Sequence, residues 1–419
     1  MDRRLFMSQL GLAMTSCAIP LHRDQPRDFL PSQILSSKTP VALAMWDYSW
    51  LLRRYPGGGF EDWDRALDDL ISRGYNAIRI DCFPQFIGAD DLGAIHSEIH
   101  LPVKGKRRAL WGNEYSVDIT PLESLITFLH KCAERKVAIV LASWFLGHGT
   151  SIHQEFSGAE GLIRAWDQTL SLIQSHDLLQ DVLYVDLLNE YPLWHGYQWL
   201  HDQLNAISPI DDTHFDFLNK SKTKRYTDDQ ILYYNCFLNT VLRSLKTKWP
   251  STRFMASQTN TLNTPWSDQD TSLFDVLDIH LWMVYHQSFS EHSSYFSAIH
   301  SGRDKRLQLD AYKKMLDYWR RNKTDMTKWL SQGVADRKSL ADDLDVPVGC
   351  TEGWGSVMWP YDQHLDWTFI KESGLAGAEL GAKHGYAFNC SSNFTHPHFT
   401  SLWNDIDWHR EVTRIIRKL

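Results

Sequence analysis

The chain has 419 residues, 43% hydrophobic and 22% charged, which is ordinary globular material with enough apolar side chains for a large core. Its formal net charge of -8 leaves no basic footprint and excludes nucleic acid as the expected partner. Six cysteines with no CxxC pair exclude a disulfide scaffold or a zinc finger.

The first 39 residues read as an export signal and linker rather than as part of the fold. Arg3-Arg4 precedes Leu5-Phe6-Met7 and a short apolar run to Ala18, in the manner of a twin-arginine signal. That run is too short to span a bilayer. Cys17 is a possible site for a lipid anchor. An exported protein, periplasmic, secreted or anchored, is expected.

From residue 40 onward, short β-rich runs alternate with helical stretches, the rhythm of parallel strands joined by crossover helices. Eight runs are predicted as strands: Val41 to Met45, Ala77 to Ile80, Val137 to Ala142, Val182 to Leu188, Phe254 to Ala256, Val276 to Leu281, Val346 to Cys350 and Ala376 to Leu380. Most are continuously apolar, as strands buried on both faces are. Helical spacing marks Trp63 to Arg73, Pro121 to Arg135, Glu160 to Ser175, Asp228 to Lys248, Leu307 to Arg321 and Trp403 to Leu419. This is the pattern of a single α/β (β/α)8 TIM barrel over residues 40–419. Residues 191–227 and 285–306 are expected as insertions on its active face. An open doubly wound sheet would place a glycine-rich turn directly after the first strand. Gly57-Gly58-Gly59 comes a dozen residues too late for that.

Residues ending barrel strands line the active site. Here those tips carry Trp46 and Asp47, Arg79, Trp144, Asn189-Glu190, His280 with Trp282, and Glu352-Gly353-Trp354. Glu190 and Glu352 each follow a strongly apolar run and face one another across an eight-stranded mouth. Glycoside hydrolysis needs such a carboxyl pair, one protonated to assist the leaving group and one ionised to attack the anomeric carbon. Arg79 is placed to keep one of them ionised. The chain's 18 tryptophans offer flat apolar faces on which sugar rings can stack.

These tips resemble the cellulase-like glycoside hydrolases of the large retaining (β/α)8 clan. The matching residues are Leu187-Leu188-Asn189-Glu190, Cys350-Thr351-Glu352-Gly353-Trp354, Arg79 and His280. The resemblance implies Glu190 as acid/base, Glu352 as nucleophile and Asn189 as a ligand of the sugar 2-hydroxyl, with no metal or organic cofactor. It also implies hydrolysis of β-glycosidic bonds in an oligo- or polysaccharide. Two features depart from the clan. Trp282 follows His280 where a Tyr is usual, with Tyr285 further on. A Trp usually ends strand eight, where this chain reads Gly381-Ala382-Lys383-His384-Gly385-Tyr386.

Trp46, Asp47, Trp144, Trp282, Trp354 and His384 complete the expected sugar-binding set, with Asn389 and Asn393 as further candidates. His396-Pro397-His398 matches none of the usual zinc spacings. Two other functions remain open: a barrel that binds sugar without cleaving it, and a metal-dependent hydrolase using His280 and His384.

Overall fold

A computed structural model describes residues 35–102, 107–210, 226–260, 268–300, 304–357 and 365–419. Residues 1–34, which hold the expected export signal, Cys17 and most of the linker, lie outside them.

The core is one curled parallel sheet. Its strands are β1 (Val41–Asp47), β2 (Ala77–Asp81), β5 (Ala138–Ala142), β6 (Val182–Asp186), β7 (Phe254–Met255), β8 (Gln258–Thr259), β9 (Leu277–Trp282), β10 (Val348–Cys350), β11 (Gly353–Trp354) and β12 (Phe388–Cys390). The antiparallel pair β3 (Ile99–Leu101) and β4 (Val117–Ile119) stands apart, in an insertion after β2. β12 pairs with β1 and so joins the two ends of the sequence. The fifth stave is split: β7 pairs with β6, while β8 pairs with β9. The ladder thereby runs around eight staves, as the sequence predicts.

The outer layer includes the helices α1 (Trp63–Ser72), α2 (Pro121–Glu134), α3 (Gly158–Ser175), α4 (Asp228–Lys248), α5 (Lys305–Leu344), α6 (Thr368–His384) and α7 (Ile406–Arg417). Their starts follow local chemistry. Asp62 caps α1 by accepting from the Arg65 amide, and Thr227 with Gln230 forms a reciprocal capping box on α4. Pro121 occupies the first turn of α2, where its missing N–H costs nothing.

Three sequence expectations need correction. Ala376 to Leu380 is not the eighth strand but the middle of α6; the strand is Phe388–Cys390. Its small residues serve helix-to-sheet packing: a Cβ on Gly377 would lie 2.2 Å from the Trp354 ring. The helix predicted over Leu307 to Arg321 runs on to Leu344, 40 residues in all, with one non-helical residue at Asn322. Nothing in its polar surface signals an end before Asp345, which takes the left-handed cap conformation. The last helix is broken, because Asp405 caps a new one by accepting from the Trp408 amide.

Candidate active site

Arg79 stands at the centre of the barrel mouth with no solvent exposure. Its Nη1 donates to Asp47 Oδ1 at 2.5 Å and to Glu352 Oε1 at 2.7 Å. Its Nη2 donates to Asn189 Oδ1 at 2.5 Å and to Asp186 Oδ2 at 3.1 Å. One guanidinium thus ties the tips of β1, β2, β6 and β10 together. Only its planar fork of donors can do this, which an ammonium lacks.

Glu352 also accepts from Asn393 Nδ2 at 3.2 Å through its other oxygen. Glu190 faces a different set. Its Oε1 contacts His280 Nδ1 at 2.9 Å and accepts from Trp282 Nε1 at 3.3 Å. His280 Nδ1 lies 3.7 Å from Glu352 Oε1 as well. One oxygen of each glutamate and one His280 nitrogen therefore lie within 4.8 Å of one another.

The backbone is shaped to present these groups. Glu190 has φ 46° and Asp47 φ 37°, both in the left-handed region that non-glycine residues rarely adopt. Ser257 sits in the gap of the split fifth stave and holds Glu190 there. Its hydroxyl accepts from the Glu190 amide, its carbonyl accepts from the Tyr191 amide, and its own amide donates to Asp186. Strained conformations that surrounding bonds over-determine are typical of functional sites. Asp278 anchors the other side, accepting from the Thr351 amide and hydroxyl and from the Tyr184 hydroxyl.

Six carboxyls, Asp47, Asp81, Asp186, Asp278, Glu190 and Glu352, are buried here, against the cations Arg79 and His280 among the described residues. Burial pushes Glu352 up to about 8, although His280 and Arg79 pull it down. Burial likewise lifts Asp81 to about 7 and raises Asp186. For His280 burial alone would favour the neutral ring, but the Glu352 charge and the Glu190 hydrogen bond raise it to about 10. Burial thus opposes the ionisation of Glu352, Asp81 and Asp186, while Arg79 favours it.

A pH dependence of stability follows. These folded values lie above the ordinary 3.8, 4.5 and 6.5 of Asp, Glu and His. The stability they contribute is complete below about pH 4 and is lost as pH rises through about 7, 8 and 10. The melting temperature is expected to fall by several degrees between pH 6 and pH 9. Glu352→Gln, which keeps the shape and removes the titration, is expected to flatten that fall. A melting temperature that rises across this range would contradict it.

The structure brings together Asp47, Arg79, Trp144, Asn189, Glu190, His280, Trp282 and Glu352. Trp144 Nε1 donates to Asp47 Oδ2 at 2.8 Å. Three expected residues lie elsewhere. Trp46 points into the helix layer, edge-on to Phe60 and near Phe128 of α2, with Nε1 donating to Thr395 O. Trp354 packs on Gly377 of α6 and donates to Cys390 O. Alternation along a strand, which sends the neighbour of an inward residue outward, accounts for Trp46 beside Asp47 but not for Trp354, which stands two residues from Glu352. His384 ends α6, at the barrel face from which β12 starts, and takes no part in the mouth. A metal site built on His280 with His384 therefore lacks one of its ligands. Asn389 also faces the helix layer, donating to Gly377 O.

Glu190, His280 and Glu352 could in principle hold an ion, the one such cluster among the described residues. Arg79, 2.7 Å from Glu352 Oε1, places a fixed positive charge beside that position and opposes a cation there. His396 and His398 are buried and held neutral: burial lowers His396 to about 3, and Arg53 adds to it.

Sequence reasoning missed Asp186 and Asp278, and it missed the insertion that carries Trp111. A charged residue inside an otherwise apolar barrel strand was the available signal for the first two. Tyr285 also lies close, its hydroxyl pushed up by burial and by the charges of Glu190 and Glu352.

A family model described as sugar-binding cellulase-like matches residues 43–417. A solved structure of a candidate glycoside hydrolase from Parabacteroides distasonis is 28% identical, with a TM-score of 0.73 over 90% of this chain and 94% of that one. Rutinosidase from Aspergillus niger is 14% identical, with a TM-score of 0.46 over 86% of this chain and 91% of that one. The endo-beta-1,4-mannanase from Thermotoga petrophila is 10% identical, with a TM-score of 0.45 over 91% and 77%. No curated protein matches the chain.

Proposed function

Because the chain belongs to the sugar-binding cellulase-like family, we propose that it is a retaining β-glycosidase, with Glu352 as nucleophile and Glu190 as acid/base. One observation carries this reading: the facing oxygens of Glu190 and Glu352 lie within 4.8 Å of each other. Retaining glycosidases set their carboxyls about 5 Å apart, whereas inverting ones leave roughly 6.5 Å or more for a water.

The contacts of each carboxyl support its role. Arg79 and Asn393 both donate to Glu352 and favour its charged form. In its role as acid, Glu190 carries the proton that is transferred when the bond breaks. Glu190 gives it to the departing oxygen while Glu352 attacks the anomeric carbon. In the second half, Glu190 takes a proton from water, the resulting hydroxide group joins the anomeric carbon, and Glu352 leaves with its electron pair. His280 and Trp282 hold Glu190 in place through both steps.

The stereochemical course tests this. Proton NMR during hydrolysis of an aryl β-glycoside is expected to show the β-anomer of the free sugar first, followed by slow mutarotation. An initial α-anomer would mean inversion and would overturn the assignment. The family's sugar-binding description also suits a barrel that binds glycans without cleaving them, and binding with no cleavage across a broad panel would favour that reading.

A further inference from the structure

The contacts of the two glutamates divide the mouth into halves. Glu190 leans on β9, through His280 and Trp282. Glu352 leans on β2 and the segment after β12, through Arg79 and Asn393. If Glu190 protonates the departing oxygen, the leaving group lies toward β9. The sugar that keeps the anomeric carbon then lies over β12, β1 and β2.

That second half is walled. Trp111 sits 5.9 Å from Trp144, 5.1 Å from Tyr48 and 5.9 Å from His396, stacked on the last at 19°. Trp111 and Trp144 are 5% and 4% exposed, and Tyr48 and His396 are fully buried. Trp111 belongs to the insertion that carries β3 and β4, and two bonds fix it to other loops. Its carbonyl meets His398 Nε2 at 2.7 Å, and the neighbouring Gly112 carbonyl accepts from Arg53. The wall therefore joins the loops after β1, β2 and β12. Inside it, Trp111 Nε1, Asn189 Nδ2 and Asn393 Oδ1 are buried without hydrogen-bond partners, and Asp47 faces the same space beside Trp144. Buried polar atoms of this kind are costly unless water or a ligand completes them.

We infer that this half is a blind pocket for one terminal sugar, so that the protein removes the last residue from the non-reducing end of a glycan instead of cutting within the chain. The inference rests on the glycosidase reading and adds to it the end of the substrate that is recognised. Water adds across the glycosidic bond: its hydroxyl goes to the anomeric carbon of the released sugar and its proton to the oxygen of the shortened chain. The barrier is the insertion after β2.

The test uses reducing-end-labelled gluco-, manno-, galacto- and xylo-oligosaccharides. Each is also prepared with its non-reducing terminal residue capped by a bulky acetal on the outer hydroxyls. Products are resolved by size, and binding is read by tryptophan fluorescence. For a cleaved series, the labelled chain is expected to shorten by one residue at a time, with loss of both binding and cleavage on capping. Trp111→Ala, checked for fold by circular dichroism, is expected to regain binding of the capped chain. Internal cuts, or equal binding of capped and uncapped chains by the wild type, would overturn the pocket and leave the glycosidase reading intact. If no series is cleaved, the glycosidase reading fails instead, and the binding arm still decides: selective binding of uncapped chains supports the pocket, and equal or no binding overturns it.

Discussion

Glu352→Ala is expected to lower kcat by roughly ten-thousand-fold or more, because losing a nucleophile removes the whole covalent route and not one contact. Folding should survive the change better than function does. The side chain is buried among acids, and its removal relieves charge repulsion while it releases one of Arg79's acceptors. Glu190→Ala is expected to cost about a hundred- to ten-thousand-fold, the usual worth of general acid–base help. Its cost should shrink for aryl glycosides whose leaving group departs without a proton. Two variants with the same profile against leaving-group acidity would contradict the division of labour. Steady-state kinetics on a graded aryl series makes the comparison.

Arg79→Ala is expected to have the largest effect on stability, about 3–5 kcal/mol, because it leaves buried charges uncompensated. Asp47, Asp186 and Glu352 would each lose their direct cation. Arg79→Lys is expected to recover little, since one ammonium cannot reach four acceptors on three strand tips. Thermal or urea denaturation measures this, and inactive but soluble protein would still report it. A loss within about 0.5 kcal/mol, the range of an ordinary surface change, would contradict the role given to Arg79.

Much of this site was legible in the sequence because a barrel puts polar side chains at the ends of apolar strands. Arg79, Asn189, Glu190, His280 and Glu352 each stand at such an end, and each meets another of them. The tryptophans were harder to place. Trp46 adjoins Asp47 in sequence, yet strand alternation turns it into the helix layer, and Trp354, two residues after Glu352, lies in that layer as well. A tip residue's neighbour shares its position along the barrel but not its side. The eighth strand was misplaced because Ala376 to Leu380 is small and apolar for helix packing, while Phe388–Cys390 is three residues long. His384 went astray with it, and Asn393, at the true tip, reaches Glu352 instead. The wall around Trp111 had no periodic signature, because an insertion outside the strand-and-helix rhythm carries it. Asp186 and Asp278 lay inside strands read as apolar, where an inward carboxyl needs the neighbours from other strands to make sense.

The most direct measurement of the central claim is the product formed by Glu352→Ala from an activated aryl β-glycoside in sodium azide. Azide is expected to restore turnover and yield the α-glycosyl azide, because the anion occupies the space of the missing carboxylate and attacks from that face. No rescue, or rescue by azide in Glu190→Ala to the same α-product, would contradict Glu352 as the nucleophile.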